Sequence, residues 1–157
     1  MARTDQRALP VALFVIALAL VAARFALPLM KGKGDAVKGG GIQWLTPEEG
    51  LRLAAASEKP VLFDFTAEWC GPCHILEAEV FRNPAIAKDI NERFIPIRVV
   101  DRRREEGRNA PQVDELQQRF AVRGFPTVVF AGPGGELARM EGFRGRSEFE
   151  RVMESVR

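Results

Sequence analysis

The chain has 157 residues, 46% hydrophobic and 28% charged, a balance that fits one folded core plus an appendage and excludes a disordered polypeptide. A formal net charge of +2 without a basic stripe excludes a nucleic-acid binder. The densest basic run, Arg102-Arg103-Arg104, is followed at once by Glu105 and Glu106 and reads as a solvated loop.

Residues 9–23, LPVALFVIALALVAA, are an unbroken apolar stretch behind a basic head carrying Arg3 and Arg7, the pattern of a targeting or anchoring segment. After Arg24 the apolar character resumes as FALPLM, so residues 9–30 approach the ~20 residues that cross a bilayer. Near one end of such a helix, Arg24 can extend its guanidinium to the headgroups while its stem stays in the apolar layer. The obvious Ala-x-Ala match, Ala17-Leu18-Ala19, lies inside the apolar core, so retention is expected over cleavage. No cysteine follows the run, which excludes a lipid-modified N-terminal cysteine. The expected organisation is a short tail at residues 1–8, a transmembrane signal anchor at 9–30, a flexible Gly/Lys-rich linker at 31–41 and a folded domain at 42–157.

Within the domain, Thr46-Pro47-Glu48-Glu49 combines an N-cap, a proline at the first helical position and an acid at the third, predicting a helix to about residue 57. Lys59-Pro60 stops it, and VLFDFT at residues 61–66 is a buried strand in which Asp64 is the one charge. Cys70-Gly71-Pro72-Cys73 opens a helix whose Ile75, Leu76, Val80 and Phe81 mark its apolar face, and Asn83-Pro84 caps a helix to about residue 92. Residues 94–100 form a second apolar strand and 102–110 a charged loop; Pro111 opens a helix to about residue 121. Strands at 127–131 and 136–141 flank the turn Gly132-Pro133-Gly134-Gly135, and Ser147 with Glu150 reads as a capping box for a last helix. Strands separated by helices imply parallel crossovers, and the hairpin adds an antiparallel edge: an α/β protein with a central mixed sheet and helices on both faces.

Both cysteines lie in one Cys-x-x-Cys, leaving no thiol for a structural disulfide elsewhere. A zinc site wants four ligands, and the only histidine, His74, directly follows Cys73 without suitable spacing, so no metal is expected. At the first turn of a helix, unpaired N–H groups and the positive helix end stabilise a thiolate, which makes Cys70 the expected nucleophile. Cys73, one turn deeper, resolves the mixed disulfide. Pro72 restrains the backbone between them, Gly71 leaves the sulfur open to a large partner, and Trp69 offers an apolar wall beside it.

The stretch VLFDFTAEWCGPC closely resembles the active site of thioredoxins, and VRGFPT at residues 122–127 is similar to the loop that holds their cis-proline. The resemblance implies a thioredoxin fold that works through a redox-active disulfide, Cys70–Cys73, without a cofactor. It implies that Pro126 is cis and faces the cysteines, with Phe125 and its neighbours presenting backbone groups to an extended substrate segment. It also implies that Asp64 is the buried acid that relays protons to the second cysteine, its pKa raised by burial. KPVLFDFTAEWC and CHILEAEVFRNPAI further resemble the C-terminal periplasmic domain of the DsbD family, where an acid at the position of Glu77 acts on the active-site pKa values. Glu77 is four residues beyond Cys73 and so on the same helix face. His74 stands where many thioredoxins have lysine and reads as a helix-surface residue. One apolar span replaces the multi-span electron conduit of DsbD, which leaves the electron donor open.

These readings converge on a membrane-tethered protein disulfide reductase, Gly-Pro between the cysteines being the dipeptide of reducing thioredoxins. Its expected partners are protein disulfide substrates, the membrane through the N-terminal helix, and an upstream thiol reductant for which a membrane protein is one candidate. The flanking charges, Arg3, Arg7 and the terminal amine against Lys31, Lys33 and Lys38, do not decide orientation. A reducing cytosol already holds soluble thiol carriers, so the domain is expected outside the inner (cytoplasmic) membrane, facing the periplasm or cell exterior. The alternatives are an oxidase or isomerase of the same fold, and a non-catalytic adaptor that holds clients in the groove around Pro126.

Overall fold

The structure, a computed structural model, describes residues 41–156. The expected anchor at 9–30 and nearly all of the linker lie outside the described residues. Among those described, no helix is long and apolar enough to cross a membrane.

The element order is α1 (Pro47–Ala55), β1 (Val61–Ala67), α2 (Gly71–Leu76) running on as a π-helical turn (Glu77–Phe81), α3 (Pro84–Arg93), β2 (Ile95–Asp101), α4 (Arg103–Glu106), α5 (Pro111–Arg119), β3 (Thr127–Gly132), β4 (Gly135–Glu141) and α6 (Arg146–Glu154). The sheet order is β2-β1-β3-β4. β1 runs parallel to β2 with Asp64 opposite Arg98, and antiparallel to β3 with Phe65 opposite Thr127. This is the mixed sheet expected from the sequence.

Alternation along β1 divides the core into two layers. Val61, Phe63 and Phe65 face Leu116 and Phe120, together with Ile97 and Val99 of β2. Leu62 and its β3 neighbours Val128 and Phe130 face Leu76, Val80, Ile90 and Phe149 on the other side. Phe65, Phe130 and Phe149 are among the largest fully buried side chains, and each such burial contributes roughly 1.5–3 kcal/mol. Because Asp64 shares the Leu62 face, the fold carries a carboxylate into the layer beneath α2.

The Thr46 capping box forms as predicted, with the Glu49 N–H donating to Thr46 Oγ1 at 3.3 Å and the Thr46 N–H to Glu49 Oε2 at 3.2 Å. α1 lies so close to β2 that a Cβ at Gly50 would collide with the Ile97 side chain. Four expectations need correction. The capping box at Ser147 and Glu150 does not form: α6 starts at Arg146 after Gly145, whose φ of 119° suits only glycine, and the Glu150 carboxylate pairs with Arg146 at 2.8 Å. The charged loop contains the short helix α4, closed by Gly107 at φ 74°. The hairpin turn is tighter than expected, because Gly132 and Gly135 already pair across it. Ile75, assigned to the buried helix face, is 50% exposed.

Candidate active site

β1 delivers the chain to Cys70, whose N–H donates to Ala67 O at 3.1 Å. Cys70 is the N-cap of α2: its backbone is extended, and its Sγ accepts from the Cys73 N–H at 3.2 Å. Gly71 and Pro72 occupy the first helical positions, where a proline lacking N–H forfeits nothing. The two cysteines are joined in a disulfide. In this oxidised form Cys70 is 2% exposed and Cys73 7%, so the expected attacking sulfur is not the more open one. Gly71 itself is unobstructed, with nothing within 4 Å of where a Cβ would stand.

The register of β3 against β1 brings the loop before Thr127 alongside this turn. The Phe125–Pro126 peptide is cis, Pro126 is fully buried, and Phe125 packs against Ala67, Cys70 and Cys73. The Trp69 indole, 48% exposed, meets Phe125 edge to face with ring centroids 5.9 Å apart. Trp69 is therefore a surface residue and not a core one. Pro72 and Ile75 of α2 are likewise exposed apolar residues. His74 is exposed, with its Nε2 2.9 Å from Glu68 O, in keeping with a surface residue.

Cys73 also borders an open cavity of about 340 Å³ whose lining includes His74, Asp64, Glu77, Arg98 and Arg82. Asp64 is 3% exposed, and burial is the largest influence on it, pushing its pKa up to about 6. Arg98 opposes that shift by charge and by a hydrogen bond from Nε to Asp64 Oδ2 at 3.0 Å, while the Glu77 carboxylate adds to it. The same guanidinium donates from Nη2 to Glu77 Oε2 at 2.6 Å and lies 4.2 Å from the Trp44 ring centroid. A second arginine, Arg82, stands 3.9 Å from Glu77 on its exposed side. Glu77 sits where α2 widens into the π-helical turn, marked by the Arg82 N–H donating to Glu77 O at 2.9 Å.

The structure thus brings Cys73, Asp64 and Glu77 to one cavity, and packs Phe125, which precedes the buried cis Pro126, between Trp69 and the cluster that holds Cys70 and Cys73. Sequence reasoning missed Arg98 and Trp44. Arg98 carried a signal, being the one charge inside the apolar run IPIRVV. Its pairing with Asp64 depends on strand register. Among the described residues, no three His, Cys, Asp or Glu side chains gather as a metal site.

A mixed four-stranded sheet, a Cys-Gly-Pro-Cys disulfide at a helix start and an opposed cis-proline define the class of thioredoxin-fold oxidoreductases. The sequence profile of the thioredoxin-like domain matches residues 47–157, and the chain belongs to that family, whose chemistry resides in its redox-active disulfide and takes no cofactor. It is 33% identical to the thiol:disulfide interchange protein DsbD of Vibrio vulnificus over 105 residues, 65% of this chain and 17% of the length of DsbD. It is 30% identical to thioredoxin-1 of Drosophila melanogaster over 91 residues, 58% of this chain and 74% of that protein. Among solved structures it is similar to a thioredoxin from Thermus thermophilus, with a TM-score of 0.61 at 29% identity, covering 74% of this chain and 87% of the other.

Proposed function

We propose that this protein reduces disulfides of extracytoplasmic proteins, that Cys70 is the nucleophile and Cys73 the resolving thiol, and that residues 9–30 tether the domain to the inner membrane. One observation carries the assignment of the cysteines. Cys70 Sγ accepts the Cys73 N–H at the start of α2, the contact that stabilises a thiolate there, while Cys73 lines the cavity that holds Asp64.

In the reduced protein the Cys70 thiolate attacks one sulfur of a substrate disulfide. A Cys70–substrate bond forms as the substrate S–S bond breaks, and the first substrate thiolate leaves and takes a proton. Cys73 then gives its proton to the Asp64 carboxylate and attacks Cys70 Sγ. The Cys70–Cys73 bond forms, the second substrate thiolate leaves and is protonated, and two electrons have passed to the substrate. An acid with a pKa near 6 suits this step, being ionised at neutral pH yet basic enough to accept a proton. Arg98 and Glu77 act by setting the charge around Asp64. Trp69, Gly71, Pro72, Phe125 and Pro126 form the surface on which the substrate segment lies. An upstream thiol donor, for which a membrane protein is one candidate, returns the disulfide to the dithiol.

The reducing direction is favoured by the Gly-Pro pair, since thioredoxin couples lie near ~−270 mV and the oxidant DsbA near ~−120 mV. The tether and the periplasmic side are favoured by the apolar run behind Arg3 and Arg7 and by the likeness to DsbD. The test is insulin reduction by the full-length chain with dithiothreitol as donor, together with a redox titration of the cysteine pair. Turnover with a midpoint near that of thioredoxins is expected, and a midpoint near that of DsbA would reverse the direction. A Cys73→Ser variant should hold its physiological substrate as a mixed disulfide on Cys70, and a captured cytosolic protein would refute the periplasmic assignment.

A further inference from the structure

The three consecutive arginines that follow β2 do not form an undifferentiated solvated patch. Their loop is built on Asp101, which is 8% exposed and accepts from the side chains of Asn109 at 2.7 Å and Gln117 at 2.9 Å and from the Arg103 N–H at 3.2 Å. Asn109 also accepts the Arg102 N–H at 2.7 Å, so the backbone at the start of α4 is fixed from both sides. Two of the arginines are then committed to carboxylates. Arg102 pairs with Glu68 at 3.0 Å and Glu106 at 3.4 Å, and Arg103 with Asp114 at 2.6 Å. Arg104 has no carboxylate within 4 Å among the described residues, and its Cζ lies 5.3 Å from the centroid of the Trp69 ring.

That placement sets a cation on the indole of the residue that directly precedes Cys70. Trp69 leans on Phe125, which packs against the cluster of Ala67, Cys70 and Cys73. A guanidinium over an indole face is held by the ring's quadrupole but keeps its N–H donors, which lie in its own plane, free for a planar acceptor. Glu68, the acid nearest to Trp69 in the chain, is engaged by Arg102 and does not neutralise Arg104. A second exposed arginine, Arg123, stands two residues before Phe125 on the opposite loop and likewise forms no ion pair among the described residues.

We infer that Arg104 is a specificity residue: seated on Trp69, it selects disulfide-bearing polypeptide segments that carry an aspartate or glutamate next to the cysteine attacked by Cys70. This rests on the disulfide-reducing function proposed above. The partner's chemistry follows from the donor, since a forked cation with free N–H groups at the edge of a peptide-binding surface matches a carboxylate.

The test uses the full-length chain and three fluorogenic peptides, each with one disulfide and identical except for Glu, Gln or Lys beside the cysteine. The wild type should reduce the Glu peptide with a kcat/KM about fivefold above that for the Lys peptide, the scale one partly exposed ion pair supports, and added salt should shrink the ratio. Arg104→Lys should keep the order, Arg104→Gln should bring the ratio close to one, and Arg104→Glu should invert it. Inversion by charge reversal is a readout that a merely structural role for Arg104 would not produce. Equal rates on the Glu and Lys peptides in the wild type, with normal reduction of the Gln peptide, overturn this inference and leave the parent function standing. Failure of the wild type to reduce any of the three removes the parent function and this inference with it.

Discussion

Arg98 stands directly opposite Asp64 across the parallel pair of β1 and β2 and donates from Nε to its Oδ2 at 3.0 Å, while its Nη2 reaches Glu77. One guanidinium thus faces two carboxylates, beside a cavity that also touches Cys73. The buried acid of that cavity is therefore tuned by a residue of a neighbouring strand as well as by its burial.

The raised pKa of Asp64 makes the fold pH-sensitive. A folded pKa of about 6 against an ordinary value of 3.8 means that the folded state favours the protonated acid, so this contribution to stability is complete below about 4 and lost as pH rises through about 6. The difference of roughly two pKa units corresponds to about 3 kcal/mol at most, at 1.36 kcal/mol per unit. The stability of Asp64→Asn relative to the wild type should rise between pH 4 and about pH 7 and level off above that, in urea unfolding of the oxidised protein. A pH-independent difference would contradict the assigned pKa.

Removing the cation should push the same acid further in the direction in which burial already moves it. In Arg98→Met, Asp64 keeps its burial and the Glu77 charge but loses its only attractive partner among the described residues, so its titration should move above 6. Loss of one partner from a buried pair also costs about 3 kcal/mol of stability at neutral pH. Carboxyl carbon chemical shifts followed against pH report the first effect, and an unmoved midpoint would show that Arg98 does not set the acid.

Gly50 tests the packing of α1 on the sheet. Alanine is the better helix former by about 1 kcal/mol, yet here its Cβ would strike Ile97, which is fully buried. Gly50→Ala should therefore lower stability by about 1–3 kcal/mol, and adding Ile97→Val should recover part of that loss. A stabilised single variant in urea unfolding would mean that α1 does not sit where described.

The loop that carries Arg104 should be sensitive to acid through Asp101. Burial works to raise this carboxyl, but hydrogen bonds from Asn109, Gln117 and the Arg103 N–H outweigh it and hold the pKa below the ordinary 3.8. A depressed pKa contributes stability that is present above the ordinary value and lost as pH falls through the folded one. Asn109→Ala should cost about 2 kcal/mol at neutral pH by leaving buried groups unpaired, and the cost should shrink in unfolding experiments below pH 4.

The chemistry of this chain was legible because it is local. A cysteine, two restricting residues and a cysteine at the start of a helix set the thiol environment within one turn, and the buried strand before them, the caps at Thr46 and Asn83 and the cis-proline motif all occupy short windows. What the tertiary structure decided is everything that depends on strand register and loop closure. The meeting of Arg98 with Asp64 and Glu77 requires β1 and β2 to align residue for residue, and the seating of Arg104 on Trp69 requires the Asp101 network to fold its loop back towards Trp69. Partners in both cases are separated by tens of residues, and no short-range pattern encodes which side chains such distant segments bring together. For the same reason the failed capping box at Ser147 looked sound in sequence: its spacing was right, but a glycine able to adopt positive φ moved the start of the helix.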